Sequence, residues 1–127
     1  VRIYIAEANS AFLPYDNNPS LPHTGSWAAL DPATGAILWQ TADPSGSFDT
    51  AALSTSNGVV YAGSMSGRMY ALDAASGAVR KELAGQGSSN AGPAIDNNGV
   101  IYWGNGYGRF GLGTSSTTFY AFSLDGQ

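Results

Sequence analysis

The sequence has no cysteine, one lysine and one histidine, and charged residues make up only 11% of it. Each shortage excludes a chemistry. Without cysteine there is no disulfide, zinc–thiolate site, cysteine nucleophile or covalent c-type haem attachment within these residues. His23, in a proline-rich stretch beside Leu21-Pro22, has no second histidine to complete a triad or a zinc site, and reads as an inert loop residue. Five cations against nine carboxylates give a formal net charge of −4, so no basic patch exists for nucleic acid or an anionic membrane. No apolar run approaches the roughly 18 residues of a membrane span, and no charged-then-apolar leader opens the chain. Charge this sparse also excludes a coiled coil and a charge-rich disordered tail. Glycine and proline are instead abundant, at 17 and 6 of 127 residues, and aromatics reach 12%. That composition suits many short strands joined by tight turns.

A repeat organises these residues. Asn57-Gly58-Val59-Val60-Tyr61-Ala62-Gly63 recurs 41 positions later as Asn98-Gly99-Val100-Ile101-Tyr102-Trp103-Gly104, and Arg2-Ile3-Tyr4-Ile5-Ala6 is a partial third copy. Trp27-Ala28-Ala29-Leu30-Asp31-Pro32-Ala33-Thr34-Gly35 returns 42 positions later as Tyr70-Ala71-Leu72-Asp73-Ala74-Ala75-Ser76-Gly77, and a third copy starts at Tyr120-Ala121-Phe122 and then departs. β-Branched and aromatic runs bounded by glycine read as buried strands. Both Asn-Gly pairs read as type I′ hairpin turns, and both Asp-to-Gly segments as turns closed by a left-handed glycine. A four-strand unit of 40–45 residues is a propeller blade. The predicted fold is all-β, a partial β-propeller of about two and a half four-stranded antiparallel blades from a seven- or eight-bladed ring.

The expected map has three parts. Residues 1–40 form a blade lacking its inner strand, with strands at 1–6, 26–31 and 36–40. Residues 41–84 form a complete blade, with strands at 49–55, 59–63, 68–73 and 78–83. Residues 85–127 form a blade lacking its outer strand, with strands at 90–95, 100–104 and 117–123. A long loop at 7–25, carrying Pro14, Pro19, Pro22 and Asn17-Asn18, and another at 104–117 occupy the same topological position. The chain starts within a strand and stops after a turn signal, so it reads as a piece of something longer. A closed propeller needs at least four blades, and the isolated arc is expected to be marginal, oligomeric or aggregation-prone, with apolar flanks.

Ala29-Leu30-Asp31-Pro32-Ala33-Thr34-Gly35-Ala36-Ile37-Leu38-Trp39 resembles the tryptophan-docking repeat of quinoprotein (PQQ) dehydrogenase propellers. The Gly-Ser-Trp-Ala-Ala-Leu-Asp strand, the run Val60-Tyr61-Ala62-Gly63-Ser64-Met65 and the loop Tyr102–Phe110 are similar to the polyvinyl-alcohol-dehydrogenase-like branch. The resemblance implies that Trp39 packs between blades, at the boundary of the first two and against the strand near Asp49. Asp31, Thr34 and Gly35 would fix the turn that aims it, as would Asp73 and Gly77 in the second copy. There Lys81 stands in place of the tryptophan, and in the third copy Ser123 replaces the aspartate.

The same resemblance implies PQQ and Ca²⁺ in the full-length protein, an electron acceptor such as a cytochrome c, the remaining blades as partners, and a periplasmic or secreted location. Such a quinone wants arginine for its carboxylates and an aromatic face, and calcium wants carboxylate and amide oxygens. The cofactor-binding candidates here are Arg109, Asn105, Asn90 and Tyr107, with Asp43 and Asp49 near the start of an inner strand; no catalytic residue and no metal ligand is assigned. Gly106-x-Gly108-x-x-Gly111 formally matches a dinucleotide fingerprint, but no helix pattern follows it, so it reads as a mobile surface loop. Two functions remain open. One is a segment of a PQQ-dependent alcohol dehydrogenase that oxidises secondary alcohols when whole and is inactive as the segment alone. The other is a non-catalytic propeller scaffold for protein interaction or assembly.

Overall fold

The computed structural model describes residues 1–9 and 24–123. His23 and most of the 7–25 loop, with its prolines and Asn17-Asn18, lie outside the described residues. Among those described there is no helix; ten strands form three antiparallel sheets. The first sheet contains β1 (Ile3–Ala8), β2 (Gly25–Leu30) and β3 (Ile37–Ala42). The second contains β4 (Ser54–Ser56), β5 (Val59–Gly63), β6 (Arg68–Asp73) and β7 (Val79–Ala84). In the third, β8 (Ala94–Ile95), β9 (Ile101–Gly104) and β10 (Phe119–Phe122) follow the same sequential order.

The repeat is visible in the hydrogen bonding. Ala29 pairs with Trp39 and Leu30 with Ile37, while Ala71 pairs with Lys81 and Leu72 with Val79, so both sheets carry a bulge at the same step. A bulge adds local twist, and here it comes one residue before the Asp-to-Gly turn. The Asn57-Gly58 turn is type I′ as expected, with φ of 49° and 75°. The Asn98-Gly99 turn differs. Only Gly99 has positive φ, because the Asp96 carboxylate accepts the backbone N–H groups of Asn98 (2.8 Å) and Val100 (2.9 Å). The result is a type I turn followed by a left-handed glycine, the three-residue hairpin loop.

The inner strands are shorter than the expected 49–55 and 90–95. The residues just ahead of those spans bond to neighbouring loops, with Phe48 O accepting from Met65 N, Ser89 N donating to Ser64 O, and Ser88 O accepting from both Gly106 N and Tyr107 N. Within the second span, Ala91 O accepts from Trp103 Nε1 and Pro93 O from Ser54 Oγ.

Strand alternation explains the core. On β5, Val60 and Ala62 turn toward the first sheet, joined across the ladder by Leu72 and Tyr70. They meet Trp27, Ala29 and Trp39. Trp27 lies on Tyr70 with ring centroids 5.0 Å apart. On the opposite face of β5, Tyr61 meets Trp103 of the third sheet edge-on at 6.5 Å. The second sheet is therefore covered on both faces. Ile3 and Ile5 on the outer face of the first sheet, and Tyr102 and Phe119 on that of the third, remain exposed. The apolar flanks expected of an open arc are present.

Candidate functional site

The two Asp-to-Gly turns are near-copies. Asp31 Oδ1 accepts from Ala33 N (2.8 Å) and Thr34 N (3.0 Å), and Asp73 Oδ1 accepts from Ala75 N and Ser76 N (both 2.8 Å). These N–H donors hold the Asp31 carboxyl below the usual carboxylate range; Asp73 is also held low, chiefly by Arg80 and then by Ser76. Gly35 and Gly77 close the turns at φ of 73° and 75°, where a side chain is strained.

Their surroundings differ sharply. A Cβ on Gly35 would meet nothing within 4 Å, whereas one on Gly77 would lie 2.5 Å from the Trp39 ring and 2.7 Å from Thr41 Oγ1. Trp39 is 9% exposed and its Nε1 donates to Ala74 O at 3.2 Å. Tyr4 Oη (3.1 Å) and Arg2 Nη1 (2.6 Å) donate to the same carbonyl, and Thr41 Oγ1 donates to Gly77 O at 2.7 Å. The sequence placed the partner of Trp39 at the strand near Asp49. The contacts that fix the ring come from the 73–77 turn, because that turn brings a bare glycine and the Ala74 carbonyl to its edge. Lys81, the counterpart of Trp39, is exposed.

Loops gather at one edge of the sheets around a cavity of about 460 Å³, lined by Ala8, Ser47, Phe48, Thr50, Met65, Asn90, Tyr107, Leu112 and Gly113. Of the four cofactor-binding candidates, Asn90 and Tyr107 reach this cavity, and with Asn105 they border a second, smaller one of about 330 Å³. Asn90 Oδ1 is already taken by Thr50 Oγ1 at 2.6 Å. The Asn105 amide, oriented to suit its neighbours, donates to Thr118 O and Ser116 Oγ and accepts from Gln86 N and Gly87 N, stapling two loops together. Arg109 lines neither cavity. It is exposed, in a turn closed by Leu112 N to Arg109 O at 2.9 Å. At the tip of that turn Phe110 has a φ of 55° and is 90% exposed.

The 104–117 loop is tied down by Ser88, whose hydroxyl accepts from Thr114 N (2.8 Å) and donates to Met65 O. These serines were not singled out in the sequence. A Gly-Ser-Ser run is common in loops, and only the fold reveals Ser88 and Ser89 as fully buried.

A quinone with calcium would need arginine, a free aromatic face, and carboxylate and amide oxygens converging on one cavity. The candidates do not compose that set. One amide oxygen is engaged, the other amide is a staple, and the arginine stands apart. No group of three or more His, Cys, Asp or Glu side chains among the described residues could hold a metal ion. Asp43 and Asp49 are close to each other and fully buried, but not against the cavity.

Three twisted antiparallel sheets, packed face to face in chain order, define an arc of a β-propeller. The chain belongs to the PQQ_2 family, described as outer membrane protein assembly factor BamB, whose model matches residues 23–123. No curated protein matches the sequence. Among solved structures, a europium-containing methanol dehydrogenase superposes with a TM-score of 0.61 at 20% identity, covering 80% of this chain and 20% of that one. BamB from Moraxella catarrhalis gives 0.61 at 21%, covering 80% and 33%. The quinohemoprotein alcohol dehydrogenase from Comamonas testosteroni gives 0.57 at 22%, covering 69% and 15%. The chain thus spans a third or less of each of these structures, and the likeness is one of fold. No helix among the described residues is long and apolar enough to cross a membrane.

Proposed function

We propose that this arc belongs to a propeller that works as a protein-binding scaffold, with the loop edge around the 460 Å³ cavity as its contact surface. The observation that carries this reading is where the polar candidates spend their hydrogen bonds. Asn90 and Asn105 hold loops together, leaving a cavity walled mainly by Phe48, Met65, Tyr107 and Leu112. Such a wall suits apolar side chains of a polypeptide better than a tri-acidic quinone. The family description, which names an assembly factor, supports the same reading and favours a periplasmic or secreted setting. In this reading residues 1–40, 41–84 and 85–127 are successive blades, and the rest of the ring supplies an inner strand to the first and an outer strand to the third.

The second reading, a PQQ- and calcium-dependent alcohol dehydrogenase of the polyvinyl-alcohol-dehydrogenase-like branch, is favoured by the dehydrogenases among the structural neighbours. It requires the remaining blades to supply most of the cofactor's ligands, and a partner such as a cytochrome c to take the electrons. Titrating the full-length protein with the quinone and Ca²⁺, while following quinone absorbance and alcohol-dependent dye reduction, separates the two. The scaffold reading predicts no saturable binding and no turnover; stoichiometric binding with alcohol oxidation would replace it with the second.

A further inference from the structure

The connection between β3 and β4 carries two carboxyl groups, Asp43 and Asp49, that face away from the cavity. Asp43 and Asp49 are 0% and 1% exposed. Asp43 is fully provided with donors: Ser45 N and Ser45 Oγ reach its Oδ1, each at 2.7 Å, and Ser64 Oγ donates to its Oδ2. Asp49 has none, since both of its oxygens are buried without a hydrogen-bond partner. Space around it is closed, because a Cβ on Gly25 would lie 2.7 Å from its Oδ2.

No cation among the described residues compensates. On β2 the neighbouring residues are Gly25 and Trp27, which carry no charge, and the β5–β6 turn offers only Ser64. β6 contributes the Tyr70 hydroxyl, and the Glu82 charge on β7 acts on that hydroxyl. Glu7 on β1 is bonded to Ser26 and Gln40. Arg68 is paired with Glu82 and Arg80 with Asp73. An ionised carboxylate in such a place would be unpaired, desolvated and beside a like charge.

We propose that Asp43 and Asp49 share one proton, and that this proton is a pH-operated latch on the seam between the first and second sheets. Both residues sit against Gly25, whose carbonyl accepts from Asp43 N at 2.9 Å and whose Cβ position lies 2.7 Å from Asp49 Oδ2. The proton resides on Asp49 and is donated to Asp43, so the orphaned carboxyl gains a partner and the pair carries a single negative charge. The pair bridges both sheets, since Asp43 N donates to Gly25 O of the first (2.9 Å) and Ser64 belongs to the second. Ser47, Phe48 and Thr50 of the same connection line the cavity, so loss of the proton acts on the cavity wall. Burial, and then the Asp43 charge, push the Asp49 carboxyl up to about 9, which keeps the latch closed at neutral pH.

The test is a pair of substitutions in the full-length protein, read by infrared difference spectroscopy and by denaturant unfolding across pH. Wild type should show the C=O band of an un-ionised carboxylic acid at pH 7. Its unfolding constant should rise about tenfold per pH unit between the ordinary aspartate pKa and about 9. In Asp49→Asn the carboxamide N–H donates permanently to Asp43, so both the acid band and this pH dependence should vanish while the fold persists. Asp43→Asn takes away the charged neighbour but leaves the Asp49 acid buried, so the acid band and the pH dependence should move to lower pH without vanishing; this variant serves if the first fails to fold. Above the transition, wild type but not Asp49→Asn should show red-shifted emission from the buried tryptophans. An acid band absent in wild type at pH 7, or a pH dependence unchanged in whichever variant folds, would overturn the proposal.

Discussion

The two seams of this arc solve one packing problem with different residues. Between the first and second sheets the bulk comes from β2 and β3. Trp27 lies on Tyr70, and Trp39 seats on Gly77 while donating to Ala74 O. Between the second and third sheets the positions equivalent by the repeat are Met69, buried, and Lys81, exposed. The missing volume returns on β9, where Trp103 occupies the position that Ala62 holds one repeat earlier. Trp103 is buried edge-on to Tyr61, and its Nε1 donates to Ser89 Oγ (3.0 Å) and Ala91 O (3.2 Å). A seam can therefore stay packed with a lysine where the neighbouring repeat has a buried tryptophan, provided that a neighbouring strand supplies an indole and a loop supplies its acceptor. What has to be kept is the filled space, not the residue that fills it.

The strongest way to break the comparison is at Trp39. Burying an aromatic of this size is worth roughly 2–3 kcal/mol, and Trp39→Ala leaves a cavity as well, so it should cost about 3–5 kcal/mol in denaturant unfolding. Lys81→Ala, at the equivalent register in the next sheet, should stay within about 0.5 kcal/mol. Next come the matched glycines. Gly35→Ala carries only the left-handed backbone penalty of about 1–2 kcal/mol. Gly77→Ala adds a collision with Trp39 and Thr41, for a total of about 2–5 kcal/mol. Trp103→Phe keeps most of the volume but leaves Ser89 Oγ and Ala91 O without their indole donor, and should cost about 1–3 kcal/mol.

The smallest effect expected is in acid. Asp31 and Asp73 have folded pKa values below their unfolded ones; the stability they contribute is present above the ordinary aspartate pKa of 3.8 and fades as pH falls below it. Asp49 has the opposite sign, favouring the fold at low pH and losing that contribution as pH rises toward about 9. A pH series should accordingly find maximal stability near pH 4–5. Asp73→Asn should weaken the acid limb and leave the limb above it unchanged.

The repeat made the architecture readable before any coordinates. Strands β2, β3, β5, β6, β7 and β9 lie within two residues of their expected positions. Local chemistry sufficed there, because an Asp-to-Gly turn or an Asn-Gly turn dictates its own geometry. It fell short where a side chain outside the turn or strand itself intervened. The inner strand of the third sheet shortened where side chains took its carbonyls at Ala91 and Pro93, and the Asn98-Gly99 turn changed type because Asp96 reached across it. For the same reason the cofactor-binding candidates were legible only as residue types. That Asn105 would staple two loops, or that Arg109 would stand clear of the cavity, depends on contacts more than ten residues away or on where a turn points. Asp43 and Asp49 were visible in the sequence near the start of an inner strand, but their burial together was not, since an aspartate in a Pro-Ser-Gly segment is ordinarily a solvated turn residue.

The claim that the repeat's turn is a socket for the indole of the preceding sheet is tested most directly by a double-mutant cycle between Trp39→Ala and Gly77→Ala, with Gly35→Ala as the reference. If the indole occupies the space beside Gly77, the cost of Gly77→Ala in the Trp39→Ala background should fall to that of Gly35→Ala, because only the backbone penalty is left. Strictly additive costs, with Gly77→Ala as damaging without the tryptophan as with it, would contradict the account.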